Sequence, residues 1–430
     1  MTTICLLGLG YIGLPTGSMF ALAGKDVIGV DPNPRVQTAL SSGLATIDEP
    51  ELQTLVTAAI NSGRLRVQTR PERADAFIIA VPTPLDPTTN KADLSFVEQA
   101  ARDILPFLRR GNVVVLESTV PPGTTRDVLA PILAESGLQP GKDICVAHCP
   151  ERVLPGRILV ELEQNDRLAG GLTPACADRA AELYTAFVKG TIMRTDATTA
   201  EMVKVMENTF RDVNVALANE FALIAERIGV DVWEAIRLAN HHPRVNVLRP
   251  GPGVGGHCIA VDPWFLVGAA PDESRLIRTS REVNDSMPEH VVSLLGGLVT
   301  PPAPVALLGV TYKAEVDDIR ESPALRVAEL AVERGYTVRL CDPHVKPDVP
   351  GLPAPLLPLE QALRDAEVVV LLVDHREFQT LDLDLVSLLV GSKRVLDARN
   401  ALDRGAWQKH GFEVSLLGVG TSSGAQRINA

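Results

Sequence analysis

The chain of 430 residues has no long uninterrupted apolar run, no excess of positive charge and only six cysteines. No segment approaches the roughly 18–20 apolar residues that a membrane-spanning helix needs. The apolar stretch at 4–23 lacks a basic segment in front of it, and glycines and a proline interrupt it, so it is not typical of a signal peptide. The sequence therefore predicts a protein without a membrane partner.

The charge and the cysteines exclude further classes. The formal net charge is −12, whereas nucleic-acid-binding proteins carry basic surfaces, so no nucleic-acid partner is expected. The cysteines are dispersed, which argues against a disulfide framework and favours the cytoplasm. Cys145 and Cys149 lie four residues apart without a second pair at the spacing of metal ligands, so no metal site is predicted.

The chain does contain short apolar or β-branched runs that alternate with helical patterns. This alternation predicts parallel sheets wrapped by helices. In the first half the predicted strands are 3–7, 26–30, 76–81, 113–117 and 144–148. The runs at 305–309, 338–343 and 366–373 repeat the pattern of three of these strands. The predicted fold class is α/β, with two Rossmann-like doubly wound domains joined by a long central helix.

The central helix is predicted over 198–229, which contains no proline and no glycine before its last residue. It is expected to begin at Thr198 or Thr199 and to end at Gly229. From 213 onward most of its faces are apolar, which favours burial in a subunit interface and a homodimer or higher homo-oligomer. The predicted domains are 1–195, 196–299 and 300–430, and a proline-rich linker at 300–304 opens the last of them. The apolar row at helical spacing consists of Met202, Met206, Phe210, Val213, Leu217, Phe221 and Ile224.

A glycine motif follows the first predicted strand and opens a helix: Gly8-Leu9-Gly10-Tyr11-Ile12-Gly13. This spacing is typical of a turn that binds the pyrophosphate of a dinucleotide. Asp31, at the end of the second strand, is placed to accept hydrogen bonds from a ribose and to repel a 2′-phosphate. NAD is therefore the predicted cofactor, although Arg35 nearby leaves NADP open. The corresponding turn in the second domain, 309–313, lacks the later glycines, so we expect no dinucleotide there. Its Lys313 is either a diphosphate ligand or a solvated surface lysine.

A second glycine-rich loop, 251–256, leads into His257 and Cys258, and Asp262 follows. Glycines allow a backbone to approach a ligand closely, and loop N–H groups lower a thiol pKa or stabilise an oxyanion. A thiolate beside a nicotinamide can trap an aldehyde as a thiohemiacetal, which a second oxidation converts to a thioester. The alternative is a buried structural cysteine. On the central helix, a polar row is either a solvated face or the lining of a cleft: Glu201, Lys204, Asn208, and Arg211 or Asp212.

Together these residues resemble the UDP-glucose/GDP-mannose dehydrogenase family over essentially the whole chain. The matching stretches are the Gly8 motif, 210–214, 242–246, 253–265 and 317–323. The resemblance implies an NAD-dependent oxidation of a nucleotide sugar by four electrons, in dimers built around the long helix. The alternative from a different class is an NAD-binding regulator or a two-electron hydroxyacid dehydrogenase with a structural cysteine.

The resemblance also implies roles for individual residues. Those expected to act in catalysis are Cys258 as nucleophile, Lys204, Asn208, Asp262, Glu151 and Thr119. Those expected at the NAD site are Gly8, Gly10, Tyr11, Ile12, Gly13, Asp31, Thr83, Thr119 and Arg320. Those expected to contact the nucleotide sugar are Arg152, Val153, Lys204, Asn208, Arg211, Gly255, Tyr312 and Lys313, with His242 and Arg244 reaching the neighbouring subunit's site.

Two departures from the family pattern concern the sugar. UDP-glucose-oxidising relatives carry lysine at the position of Val261 and glutamate at the position of Pro155. Their absence removes polar groups from around the sugar and the catalytic water, and it favours a UDP-N-acetyl-amino-sugar. The expected substrate is UDP-N-acetyl-D-mannosamine. UDP-N-acetylglucosamine is the alternative, because the epimers differ only at C2.

Overall fold

The computed structural model describes residues 2–47, 49–86, 88–153 and 156–420. The chain forms two compact units, one of Met1–Glu207 with Trp264–Glu273 and one of Asn208–Pro263 with Ser274–Ala430. Each unit contains one sheet. The predicted α/β class with two Rossmann-like sheets is confirmed. The division into three domains at 195 and 299 stays a prediction.

The first unit is built on an eight-stranded sheet. Its strands are β1 (Thr3–Leu7), β2 (Asp26–Val30), β3 (Leu65–Gln68), β4 (Ala76–Ile79), β5 (Val113–Leu116), β6 (Cys145–His148), β7 (Arg167–Gly171) and β8 (Ile192–Asp196). They lie in the order β3-β2-β1-β4-β5-β6-β7-β8. The pairing of β6 with β7 is antiparallel, and the other pairings are parallel.

Helices connect these strands. They are α1 (Gly13–Leu22), α2 (Pro34–Ser41), α3 (Leu52–Asn61), α4 (Ser95–Ile104), α5 (Ala130–Ala134), α6 (Ile158–Gln164) and α7 (Pro174–Tyr184). The following helices are α8 (Ala197–Ile228), α9 (Val232–Ala239), α10 (Asp262–Ala269) and α11 (Arg275–Leu298). In the part of the chain that the structure describes, no helix is both long and apolar enough to cross a bilayer.

The second unit contains a five-stranded parallel sheet. Its remaining elements are β9 (Pro304–Leu308), α12 (Pro323–Glu333), β10 (Thr337–Cys341), α13 (Leu359–Leu363), β11 (Val368–Leu371), α14 (Arg376–Gln379), α15 (Leu383–Leu389), β12 (Arg394–Asp397), α16 (Arg404–Lys409) and β13 (Glu413–Leu416). The strand order is β10-β9-β11-β12-β13.

Both faces of each sheet are buried. In β1, Ile4 and Leu6 enter one apolar cluster, whereas Cys5 and Leu7 enter another on the opposite face. The strands of the second sheet divide in the same way between two clusters. A strand covered by helices on both faces needs apolar residues at successive positions. This is why continuous apolar runs, rather than alternating patterns, marked these strands in the sequence.

The long helix α8 begins one residue before its predicted start, and Asp196 caps it. The carboxylate of Asp196 accepts the Thr199 backbone N–H at 2.9 Å and the Thr199 hydroxyl at 2.5 Å. These hydrogen bonds lower the pKa of Asp196. A carboxylate at this position pairs an otherwise unsatisfied N–H and interacts favourably with the helix dipole. The threonines therefore follow the cap and do not form it.

The apolar row that predicted α8 is exposed to solvent in the single chain. Phe210 is 70% exposed, Met206 50% and Ile224 48%. The buried face of the helix consists mainly of small residues, including Ala218 and Ala222. The amphipathic pattern was correct, but its larger residues do not pack into the core of the chain.

Candidate active site

A tight turn joins β1 to α1 in the first unit. Gly8 has φ +93°, and its N–H donates to the Val30 carbonyl at 2.8 Å. A Cβ at residue 8 would lie 2.4 Å from the Ala80 oxygen, and one at residue 13 would lie 1.9 Å from the Gly8 oxygen. A side chain is therefore excluded at both positions. Gly10 is exposed, with open space where its Cβ would be, and the half-buried Tyr11 and Ile12 follow it.

The half-buried Asp31 is fixed beside this turn. Its Oδ2 accepts the Leu9 N–H at 3.0 Å, and its Oδ1 accepts the Asn33 N–H at 2.9 Å. Each carboxylate oxygen can accept a further hydrogen bond, as a ribose diol requires. At the ends of the neighbouring strands, the Thr83 hydroxyl donates to the Thr119 carbonyl at 2.6 Å. The structure thus joins two residues that the sequence assigned to the NAD site.

Glu151 and Arg152 follow β6. The Oε2 of Glu151 accepts a hydrogen bond from Arg167 Nη1 at 2.6 Å, and its Oε1 accepts the Arg152 N–H at 2.7 Å. The Arg152 guanidinium contacts Glu207 at 3.1 Å and the Asp166 carbonyl at 3.2 Å. Glu151 is buried, so its carboxylate has a fixed orientation. Val153 packs partly against the main core cluster.

Arg167 also donates through Nη2 to Glu117, which is fully buried at the end of β5. The Tyr184 hydroxyl donates to the same Glu117 oxygen at 3.1 Å. Burial raises the pKa of Glu117 to about 7 despite the attraction of Arg167. Sequence spacing did not connect these three residues, because Glu117 lies 50 positions from Arg167. The sequence signal for such a cluster was Arg167 itself, a charged residue at the start of a strand that is otherwise apolar and buried.

The polar row predicted on α8 does not act as one surface. Glu201 is fully buried, and its carboxylate accepts the N–H groups of Gly123 at 2.6 Å and Thr125 at 2.7 Å. Asp212 is also buried and bonds to Arg281 at 2.6 Å. These two residues support the fold and do not line a cleft. Lys204 and Asn208, which are half-buried, remain candidates for chemistry.

Cys258 lies in a turn directly before α10. Its carbonyl accepts the Val261 N–H at 3.1 Å and the Asp262 N–H at 2.8 Å. Asp262 is 2% exposed, and Asn208 Nδ2 donates to its Oδ2 at 2.5 Å. The structure therefore brings together a thiol-bearing turn, a buried carboxylate and the amide that orients it. The spacing of Asn208 and Asp262, 54 positions, did not reveal this contact.

The glycines before Cys258 accommodate the protein's own chain. A Cβ at Gly255 would lie 2.4 Å from the Glu321 oxygen, and one at Gly256 would lie 2.9 Å from the Tyr312 ring. The first residue of the loop, Gly251, donates to Asn219 Oδ1 at 2.9 Å. The close approach expected for a ligand is here an approach to the segment after β9.

That segment carries three further predicted residues. The Tyr312 N–H donates to the Asp318 carbonyl at 3.0 Å, and the half-buried Lys313 is adjacent. Arg320 pairs with Asp318 at 2.6 Å, and its carbonyl accepts the Gly256 N–H at 3.2 Å. Arg320 belongs to the second unit, unlike the other residues assigned to NAD, so its cofactor contact stays a prediction.

The remaining predicted contact residues lie on the surface, and one of the two departures from the family pattern lies outside the residues that the structure describes. Arg211, His242 and Arg244 are exposed, and the Arg244 N–H donates to His242 Nδ1 at 3.3 Å. Val261, where UDP-glucose-oxidising relatives carry lysine, is half-buried. Pro155, the other departure, lies outside the described residues.

A sheet whose first turn is shaped for a pyrophosphate, in a chain with a second sheet of the same kind, is the architecture of an NAD-dependent dehydrogenase. Models of the UDP-glucose/GDP-mannose dehydrogenase family match its NAD binding domain at 2–188, its central domain at 198–286 and its UDP binding domain at 306–404. The chain belongs to this family. It is an NDP-sugar dehydrogenase that uses NAD.

Similar proteins cover nearly the whole chain. The UDP-N-acetyl-D-mannosamine dehydrogenase of Methanocaldococcus jannaschii is 50% identical over 98% of this chain and 97% of its own. The NDP-N-acetyl-D-galactosaminuronic acid dehydrogenase of Ralstonia nicotianae is 50% identical over 92% and 95%. The solved UDP-D-ManNAc dehydrogenase of Pyrococcus horikoshii superposes with a TM-score of 0.90 at 43% identity, covering 97% of this chain and 99% of that one.

Proposed function

We propose that the chain oxidises UDP-N-acetyl-D-mannosamine at C6 to UDP-N-acetyl-D-mannosaminuronate, for bacterial surface polysaccharide. The overall reaction consumes the 6-alcohol, two NAD and one water, and releases the carboxylate, two NADH and three protons. The turn that presents Cys258 beside the Asn208–Asp262 contact at 2.5 Å carries this proposal. The names of the relatives support the substrate.

Cys258 is the proposed nucleophile. The Gly8–Gly13 turn, Asp31 and Thr83 would hold NAD, which would supply the hydride acceptor for each of the two oxidations. Between them the Cys258 thiolate adds to the C6 aldehyde to form a thiohemiacetal, and the second oxidation leaves a thioester on sulfur. Water then attacks the thioester carbonyl, the carbon–sulfur bond breaks, and Cys258 is regenerated.

The other proposed catalytic residues act on protons and on water. Lys204 takes up the alcohol proton or stabilises the oxyanion, with Asn208 as a neutral donor beside it. Asp262, oriented by Asn208, positions water, as do Glu151 and Thr119. The strong hydrogen bonds of Glu151 to Arg167 and Arg152 support orientation of water as its role, rather than free exchange of a proton.

The nucleotide part of the substrate is proposed to bind through cationic and backbone groups. Lys313 and Arg211 neutralise diphosphate charge, while Tyr312 and Gly255 form one wall. Arg152 and Val153 are proposed to contact the sugar, and Arg320 is proposed to contact NAD. His242 and Arg244 are proposed to reach the site of a second copy, and both residues are exposed in the single chain.

The sugar is the part of the proposal that has a close alternative. UDP-N-acetylglucosamine differs only at C2, and a relative of equal identity is named for a galacto-configured sugar. Val261 supports an N-acetylated sugar, because an apolar side chain stands where UDP-glucose enzymes place a cation. Comparing kcat/KM for the two UDP-N-acetyl sugars decides between them; we expect the manno epimer to be favoured.

The mechanism is tested by counting NADH and by replacing the thiol. The wild-type enzyme should release two NADH per UDP-N-acetyl-D-mannosamine, and Cys258→Ala should lose at least about 10³-fold in kcat. Cys341→Ala is the matched control, because that thiol is buried in the second sheet and burial raises its pKa to about 12. One NADH per sugar, or an active Cys258→Ala enzyme, would exclude the thioester route.

We also propose that the exposed row of α8 forms a homodimer interface. Phe210, Met206 and Ile224 present a continuous apolar stripe, which a monomeric protein rarely exposes. Phe210→Glu should convert the dimer to monomer by analytical ultracentrifugation. Leu388→Glu, at an 83% exposed position on α15, should not change the oligomeric state. An unchanged Phe210→Glu dimer would place the interface elsewhere.

A cytoplasmic location is proposed on two grounds. The reaction consumes NAD and a nucleotide sugar, and no disulfide joins the six cysteines, all of which lie in the described part of the chain. A reducing compartment fits both. Fractionation of the native cells, with activity measured in each fraction, tests the location.

A further inference from the structure

Arg167 lies between two carboxylates in the interior of the first unit. Its Nη1 donates to Glu151 Oε2 at 2.6 Å, and its Nη2 donates to Glu117 Oε1. The exposed fractions of these side chains are 4% for Arg167, 0% for Glu117 and 8% for Glu151. The ring of Tyr184 lies 3.9 Å from the guanidinium carbon. Both arms of the guanidinium are therefore fixed.

Burying these charged side chains is energetically unfavourable compared with filling the same space with apolar residues. Removing several charges from water costs more than their mutual attraction commonly returns, and well-packed apolar residues are often as stable or more so. The cost is visible at Glu117 and Tyr184, because burial raises the pKa of both groups. Of the four residues, only Glu151 belongs to the proposed catalytic set. The cluster is therefore linked to the proposed reaction through Glu151 alone.

We propose that Arg167 is a positioning residue that holds the Glu151 carboxylate in a single orientation for the hydrolytic step of the proposed reaction. This inference rests on the proposed function. Arg167 occupies one lone pair of Oε2, and the Arg152 N–H occupies one of Oε1 at 2.7 Å. Each oxygen keeps another lone pair. Because both oxygens are held, Glu151 can accept a hydrogen bond from the attacking water without turning.

The other contacts of Arg167 explain why the residue is arginine. Glu117 and Tyr184 hold its second arm, so that the first arm always points to Glu151. A lysine keeps the charge but is a single point donor, and it cannot bond both carboxylates in this fork geometry. Arg167→Lys should therefore free Glu151 to rotate while the cluster keeps its net charge.

The expected signature is a selective loss of hydrolysis. In rapid mixing of Arg167→Lys with UDP-N-acetyl-D-mannosamine and NAD, we expect a burst of two NADH per active site and then a steady rate about 10–100-fold below wild type. Intact mass spectrometry should show the sugar-nucleotide acyl group accumulated on the enzyme, and Cys258→Ala should abolish the adduct. A structural role alone would slow every step together and leave no adduct.

The matched control is Arg281→Lys. Arg281 is also buried between two carboxylates, Asp212 and Asp285, in the second unit. This variant should lose stability without a burst or an accumulated adduct. If it gives the same burst as Arg167→Lys, disturbance of a buried ion cluster explains the result and the proposal is wrong.

Two further measurements keep the test decisive. If Arg167→Lys is not recovered folded, Arg167→Met with Glu117→Gln removes one charge of each sign and should give the same burst. On a Glu151→Gln background, Arg167→Lys should slow hydrolysis no further, whereas an additional independent loss would overturn the proposal. Wild-type stoichiometry is measured in parallel: one NADH per sugar rejects the proposed function itself, while two NADH with no adduct in the Arg167 variants rejects only the role of Arg167.

Discussion

Gly8 in the first unit and Gly309 in the second both follow the first strand of a sheet, and both have φ +93°. The N–H of each donates at 2.8 Å to the last residue of the neighbouring strand, Val30 or Cys341. An aspartate follows that strand in each case. Asp31 accepts the Leu9 N–H, and Asp342 accepts the Val310 N–H at 2.7 Å. The two turns are structural counterparts to this point.

The aspartates differ in what else they bond. Asp31 is half-buried, whereas the side chain of Asp342 is fully buried and lies 3.2 Å from His375 Nε2. The Nδ1 of His375 accepts the Glu315 N–H at 3.1 Å. Both ring nitrogens are thus occupied by protein groups, which also argues against metal ligation by this histidine. In the second unit, His375 lies beside Asp342 at the position that corresponds to the proposed ribose position beside Asp31 in the first unit.

The number of residues between the turn glycine and the start of the next helix also differs between the two units. In the first unit α1 begins at Gly13, but in the second α12 begins at Pro323. The residues between Gly309 and Pro323 lie against the Cys258 loop, where Tyr312 contacts Gly256 and Glu321 contacts Gly255. The same strand–turn frame therefore presents a helix N-terminus in one unit and supports a reactive loop in the other.

The largest effect that tests this comparison is expected from Asp342→Ala. The substitution leaves the buried N–H of Val310 and the ring of His375 without their acceptor, at about 1–3 kcal/mol for each group. We expect the second unit to lose about 3 kcal/mol or more of unfolding free energy, measured by urea denaturation, with the KM for NAD unchanged. A stable Asp342→Ala protein with weakened NAD binding would contradict the assignment of this carboxylate to the fold.

Asp31→Ala should show the opposite division. Loss of a charged acceptor for the ribose should raise the KM for NAD by about 10–100-fold, since such a hydrogen bond contributes about 1.5–3 kcal/mol. The loss of stability should be smaller than for Asp342→Ala, because Asp31 is only half-buried. Initial rates at varied NAD, with thermal unfolding of the same samples, measure both quantities. Unchanged NAD affinity would remove Asp31 from the cofactor site.

A smaller contrast concerns buried histidines. His148 in the first unit is fully buried, as His375 is, but among the described residues its ring nitrogens lack the well-formed hydrogen bonds that hold the His375 ring. Burial, together with the nearby charge of Lys204, lowers the pKa of His148 from 6.5 to about 3. The folded pKa is below the unfolded one, so the stability linked to His148 is fully present above pH 6.5 and is lost as the pH falls toward 3.

Between pH 7 and pH 5 this linkage should cost about 2 kcal/mol, at about 1.4 kcal/mol per pH unit below 6.5. His148→Gln should remove that part of the pH dependence. The measurement is the difference between wild type and variant in urea unfolding at the two pH values. Glu117, whose raised pKa favours the folded state at lower pH, is present in both proteins and cancels. Identical pH slopes would show that His148 is protonated in the folded state.

The parts of the fold that the sequence revealed are those buried on both sides. β1 and β2 were predicted with their observed bounds, and β4, β5 and β6 to within two residues. The edge strands β3, β8 and β13 were missed because they carry polar residues that face solvent, such as Arg66 and Arg194. Two buried strands, β7 and β12, were also missed. Two glycines and an arginine interrupt the apolar character of β7, and β12 has only two apolar residues between Arg394 and Asp397. The antiparallel pairing of β7 with β6 has no signature in sequence.

The site was predictable where its residues are close in sequence. The Gly8 motif and the turn at Cys258 are local patterns, so spacing alone located them. Glu117, Arg167 and Tyr184 meet across 50 and 67 positions, and only the packed sheet brings their charges together. The glycines at 255 and 256 were interpreted as room for a ligand, because the sequence does not show that Tyr312 and Glu321 fold against them.

The smallest expected effect concerns the choice of coenzyme at the first turn. Arg35 is exposed at the start of α2, and its N–H bonds to Asn33, which is itself held by Asp31. Asp31→Ser removes the repulsion of a 2′-phosphate and leaves Arg35 to attract it, so the ratio of kcat/KM for NADP to that for NAD should rise about tenfold, or about 1.4 kcal/mol. Adding Arg35→Ala should reverse most of the gain. Lys25→Ala, a change of equal charge on the turn before β2, should leave the ratio of the Asp31→Ser enzyme unaltered. If Lys25→Ala lowers it as much as Arg35→Ala does, the contribution of Arg35 is one of net charge. A ratio that Asp31→Ser leaves unchanged would show that the first turn selects NAD by some contact other than Asp31.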